Sequence, residues 1–124
     1  SGKTALEAAL QLYNQKQYAS AIDAFKELEN IEPENQVVKF YLGQSLLLAN
    51  KPDQGISKLK EVKGDYQPEA QWHAALALLK NGEEEKCGSL LDQIIATDKD
   101  LTFVEKAKKL KSKLNSPWRK LVIF

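Results

Sequence analysis

Methionine is missing from the chain altogether, and histidine and cysteine occur once each, as His73 and Cys87. A single cysteine excludes an intramolecular disulfide and fits a reducing or an oxidising compartment equally. With one histidine, a His-based metal cluster or a Cys–His nucleophile would have to be built from single residues. Long apolar runs are lacking too. Leu46-Leu47-Leu48-Ala49 and Leu76-Ala77-Leu78-Leu79 stop after a turn or so, well short of the roughly 18 consecutive apolar residues of a membrane span. No membrane insertion by this segment is expected. There is no surplus of one charge sign, since 18 basic residues face 17 acidic ones for a net charge of +1. The global field therefore argues neither for nucleic acid nor for a strongly acidic partner. The glycines show no phosphate-loop spacing, no catalytic constellation stands out, and no cofactor is expected. Lacking Met and opening Ser1-Gly2-Lys3, the chain reads as a piece of a longer protein. That reading leaves the compartment open between cytoplasm and periplasm.

What is present is ordinary in amount and unusual in arrangement. The 124 residues, 43% apolar and 28% charged, suffice for one domain around one core. Internal repetition organises them. Tyr18-Ala19-Ser20-Ala21-Ile22-Asp23-Ala24-Phe25, Pro52-Asp53-Gln54-Gly55-Ile56-Ser57-Lys58-Leu59 and Glu84-Glu85-Lys86-Cys87-Gly88-Ser89-Leu90-Leu91 follow one pattern. Each starts polar, carries a small residue fourth (Ala21, Gly55, Cys87) and ends on a bulky apolar one. Twelve positions before each small residue lies another: Ala9, Gly43 and Ala75. Small residues opposite large ones let two antiparallel helices approach closely. Leu12, Leu46 and Leu78 on the first helices, and Phe25, Leu59 and Leu91 on the second, supply the large partners. Polar turns at Asn14-Gln15-Lys16-Gln17, Asn50-Lys51-Pro52-Asp53 and Lys80-Asn81-Gly82-Glu83 are short enough to enforce antiparallel hairpins. Pro33, Gly64 and Pro68 punctuate the hairpin ends. The expected helices run over about 4–14, 18–30, 35–49, 52–63, 68–80, 83–96 and 102–114.

These residues resemble the tetratricopeptide repeat family over most of the chain. The first unit fits best, with Ala9, Tyr18, Ala21, Phe25 and Pro33 at the motif's small, aromatic and proline positions. The second keeps Leu42-Gly43 but has Gly55 for alanine and a shifted Pro68. The third keeps Ala75, Gly82 and Leu91 and loses the proline. Phe40-Tyr41-Leu42-Gly43, the stretch from Gln71 to Gly82 and Glu105-Lys106-Ala107 look like such repeats in Bacteroidetes-type bacterial proteins. The resemblance implies an all-α fold, a right-handed α-solenoid of three hairpins (2–35, 36–67 and 68–101). A capping helix at 102–115 and an apolar tail at 116–124 would follow.

The family's first helices line a concave groove, and here they carry Leu6, Leu10, Tyr13 and Asn14, then Phe40, Tyr41, Gln44 and Leu47, then Trp72, His73, Leu76 and Lys80. Large aromatics in a groove are typical binding anchors. Phe40 and Trp72 read equally well as packing between hairpins, whereas Tyr41, Gln44 and His73 are the better contact candidates. The scarcity of Lys, Asn and Arg here argues against the family's clamp for acidic C-terminal peptides. Cys87, on a packed helix, is expected to be a buried thiol. Glu83-Glu84-Glu85 suits the positive end of a helix dipole better than a metal. Lys106, Lys108, Lys109, Lys111, Lys113, Arg119 and Lys120 read as a solvated face in preference to a nucleic-acid or anionic-membrane contact. Pro117 and the apolar Leu121-Val122-Ile123-Phe124 are expected to dock in cis or onto a second copy. The leading function is therefore a non-enzymatic scaffold holding a protein or peptide segment in its groove. The alternative is a self-association or assembly module of a larger protein, membrane-anchored or not, acting through the basic cap and the tail.

Overall fold

The computed structural model describes residues 4–97 and 99–116. Among them are seven α-helices and no strand: α1 (Ala5–Asn14), α2 (Tyr18–Ile31), α3 (Gln36–Leu48), α4 (Pro52–Glu61), α5 (Gln67–Lys80), α6 (Glu84–Thr97) and α7 (Leu101–Leu114). Each helix packs on the next in sequence, and α1 also reaches α3 as α5 reaches α7. The result is an all-helical repeat solenoid closed by α7. The tail from Pro117 to Phe124 lies outside the described residues.

Helix starts follow from local chemistry. Thr4 accepts a hydrogen bond from the Glu7 amide while the Glu7 carboxylate accepts from the Thr4 amide, a reciprocal cap on α1. Asn35 Oδ1 accepts from the Val37 and Val38 amides to open α3, and Asp100 Oδ1 accepts from Thr102 to open α7. Pro52 starts α4, where its missing N–H loses nothing.

The three intra-hairpin turns share one backbone design. The amides of Gln17, Lys51 and Glu83 donate to the carbonyls of Leu12, Leu46 and Leu78, each at 2.9 Å. The residue before each of them is left-handed: Lys16 at φ 63°, Asn50 at φ 64° and Gly82 at φ 79°. This is the Schellman ending, used three times. It leaves the second turn at 49–51, with Pro52 opening α4 as the sequence reading expects. The reading also omitted a 3-10 turn over Gly64–Tyr66, which packs against both α3 and α5.

Helix contacts inside the hairpins obey the small-to-large rule with one exchange of partner. A Cβ placed on Gly43 would come within 2.7 Å of the Leu59 side chain. On Gly55 it would meet Leu47, not Leu46, at 2.7 Å and the Gly43 carbonyl at 3.0 Å. Leu46 instead joins Val38 and Leu42 in the core of the first hairpin, around Ala9, Ala21, Ile22, Phe25 and Leu28. Leu12 is only half-buried at the edge of that core. A second core holds Phe40, Ile56, Leu59, Val62 and the apolar faces of α5, α6 and α7, Cys87 included. Tyr41 packs against both cores, so α3 is the partition between them. That role explains why α3 is apolar nearly all round.

On the side of α2, α3 and α4, four charges form an alternating ring. Lys39 Nζ lies 3.0 Å from Glu29 and 3.3 Å from Glu61, and Lys58 Nζ repeats both distances. Burial alone would push the Glu29 carboxyl up, but Lys58 and Lys39 together hold it below its ordinary value. Burial likewise opposes the Lys39 ammonium, and Glu29 and Glu61 overcome it, raising that pKa. The ring ties the first hairpin to the second.

Candidate partner-binding groove

Rings from α1, α2, α3, the 3-10 turn and α5 form a continuous file of contacts. The Tyr13 ring lies 5.9 Å from Tyr18 and 5.1 Å from Tyr41, both edge-on. Tyr41 stands edge-on to Phe40 at 5.1 Å, and Phe40 in turn lies 5.0 Å from Tyr66 and 6.3 Å from His73. Edge-to-face pairs at these separations are favourable beyond their burial and hold one another's rotamers. Tyr13 and Tyr41 are half-buried, and burial is the main cause that raises both phenol pKa values. Tyr18, Tyr41 and Glu69 add to the rise at Tyr13, and Tyr66 and Glu69 to that at Tyr41. Both phenols therefore stay neutral at ordinary pH.

His73 links this file to an open cleft of about 370 Å³ between α3 and α5, lined by Leu47, Leu48, His73, Leu76, Ala77 and Lys80, with Asn50, Pro52 and Asn81 at the turn. Leu48 is 51% exposed and Leu76 38%. Two large aliphatic side chains sharing a concave site are what a partner's apolar group can cover. On the other side of His73, its Nε2 lies 3.6 Å from a Glu69 carboxylate oxygen, one turn earlier on α5.

The groove residues read from the sequence thus separate into groups. Tyr13, Tyr41 and His73 join the ring file, and Leu47, His73, Leu76 and Lys80 share the cleft. Phe40 is 3% exposed and belongs to the core between α3 and α5, the second of its two readings. It lies beneath the surface and offers a partner almost no contact area. Trp72 is half-buried against the second core, with the Lys106 ammonium 6.0 Å from its ring and 5.2 Å from that of Phe103. Leu10 and Asn14 lie with Glu7, Gln11 and Gln15 along α1, apart from the cleft. Gln44 is half-buried on α3. Leu48, Tyr66 and Glu69 were missed by the sequence reading. Glu69 could have been found from its i, i+4 spacing to His73, and Leu48 from the run of three leucines that ends α3.

Other expected features also find their places. Cys87 is fully buried, and burial and then the Glu84 charge push its thiol pKa up, the opposite of an activated nucleophile. Glu83 accepts from Asn81 and pairs with Lys86. On the cap, Lys111 is paired with Asp92 of α6 and Lys108 with Glu105, while Lys106 lies over rings. Two lysines of the basic run are thereby paired within the fold. Among the described residues, no group of three or more His, Cys, Asp or Glu is placed to hold a metal ion, and no helix is long and apolar enough to cross a membrane.

Stacked two-helix hairpins with small-to-large interfaces define a class of helical repeat scaffolds. The sequence model described as tetratricopeptide repeat matches residues 12–79, more than half of the chain, and the protein belongs to that family. Repeats of this kind generally serve as protein–protein interaction modules and are typically non-enzymatic. No curated protein sequence matches the chain.

Proposed function

We propose that the protein is a non-enzymatic scaffold that holds a segment of another protein in the groove formed by α1, α3 and α5. The observation that carries this reading is the cleft itself, where exposed Leu48 and Leu76 flank His73 at the end of the aromatic file. An apolar cleft beside half-buried rings offers a partner both hydrophobic burial and rigid contact surface. Quantitative affinity capture tests it, comparing the native chain with a Tyr41→Ala/His73→Ala double variant and with Leu76→Glu. Leu76 is exposed, so its substitution perturbs the fold little, and circular dichroism with thermal melting verifies folding in each case. The expected outcome is that proteins retained by the native chain are lost from both variants. Retention of the same set by the folded variants overturns the groove assignment.

A further inference from the structure

Glu69 differs in setting from the carboxylates that stabilise the fold. Glu29, Glu61, Glu83, Asp92 and Glu105 each pair with a lysine of the chain. Among the described residues, no lysine or arginine lies within ion-pair distance of Glu69, whose neighbour is His73 at 3.6 Å, too long for a hydrogen bond. Its side chain is 46% exposed. A place in the first turn of α5 suits an acid on dipole grounds. That placement does not account for its reach to the Tyr13 and Tyr41 phenols. The His73 imidazole beside it leads through Phe40 to Tyr66, Tyr41 and Tyr13. A half-exposed carboxylate whose charge reaches the Tyr13 and Tyr41 phenols, with a histidine and no lysine or arginine beside it, is the chemistry that receives a cation. The fold already uses that chemistry once, where Lys106 lies over Trp72 and Phe103.

On the far side of His73 the surface changes character. Leu76 and Leu48 form an apolar subsite. Glu69 and Leu76 are seven residues apart on one helix, about 10 Å at roughly 1.5 Å per residue. An extended chain covers that distance in about three residues.

Resting on the groove reading above, we infer that the occupant is an extended peptide segment with a lysine or arginine at the Glu69 and tyrosine subsite. A leucine-like side chain about three residues away fills the Leu48–Leu76 cleft.

Panning a displayed library of random octapeptides against the native chain tests this. It is followed by fluorescence anisotropy of one enriched synthetic peptide against native, Glu69→Gln and Leu76→Glu proteins, each verified as folded by circular dichroism. The expected result is enrichment of a basic residue three positions from an aliphatic one. Affinity should fall about fivefold or more in Glu69→Gln, with a similar or larger loss in Leu76→Glu. Enrichment of acidic or uncharged peptides, or equal affinity for Glu69→Gln, overturns the inference. If binding still depends on Leu76 in that case, the groove reading stands. If no enriched peptide depends on Leu76, both fall.

Discussion

Lys16 occupies a backbone conformation that its side chain disfavours. The equivalent positions of the other two turns hold Asn50 and Gly82, the residue types that tolerate a left-handed backbone best. Lys16→Gly is therefore expected to stabilise the chain by about 0.5–1 kcal/mol, after allowing for the greater freedom glycine has when unfolded. Urea denaturation measures this, and Gly82→Ala should shift the midpoint in the opposite direction. A second contrast concerns glycines inside helices. Gly88 of α6 has open space where a Cβ would stand, so Gly88→Ala should stabilise by up to about 1 kcal/mol through helix propensity. Gly43→Ala drives a methyl into Leu59, a residue with no exposure, and should destabilise by about 1–3 kcal/mol despite the same propensity gain. Equal melting shifts for the two alanine variants would contradict the close approach of α3 and α4.

At the scale of elements, the link between the first two hairpins is electrostatic as well as apolar. Glu29 has a lowered pKa in the fold, so its contribution is present above the ordinary carboxylate value near 4.5 and is lost as pH falls through the lowered folded value. Lys39 has a raised pKa, so its contribution is present below about 10.5 and is lost as pH rises through the raised value. The ring therefore acts across the neutral range and fails at both ends. Glu29→Gln should cost on the order of 1–2 kcal/mol at neutral pH and flatten the acid side of the stability profile. Chemical denaturation at a series of pH values, native against variant, is the measurement. A variant profile parallel to the native one would remove Glu29 from this role.

For the whole molecule, the distribution of buried residues sets where stability resides. Helix α1 buries Ala9 alone, while α3 buries Val38, Phe40, Leu42, Gly43, Ser45 and Leu46 and serves both cores. Hydrogen exchange should accordingly find α1 amides about tenfold or more less protected than those of α3. Uniform protection across the two helices would mean that the chain opens only as one unit. The proposed groove crosses this gradient, since Tyr13 sits on the weakly anchored α1 and Leu48 and Leu76 on the firmly held α3 and α5. A partner lying along the file is expected to raise the protection of α1 most.

The seven helices and their pairing were determined by the sequence itself. Apolar periodicity and small residues twelve positions apart are properties of neighbouring stretches of chain, and short turns leave antiparallel packing as the outcome. The left-handed position at Lys16 was not legible, because lysine carries no preference for it; hydrogen bonding across the turn imposes it. Nor could the pattern of α3 say which of its apolar sides faces a partner. Phe40 and Tyr41 are adjacent in sequence, yet one is buried between α3 and α5 and the other stays half-exposed. The spacing of α3 from α5, with the 3-10 turn at Gly64–Tyr66 packed against both, decided that difference. The same spacing opened the cleft at Leu48 and Leu76 and brought the Glu69 charge within reach of the Tyr13 and Tyr41 phenols. Local periodicity specifies which residues form helices, but exposure depends on the distance between helices that are not consecutive in the chain, and only the tertiary structure sets that distance.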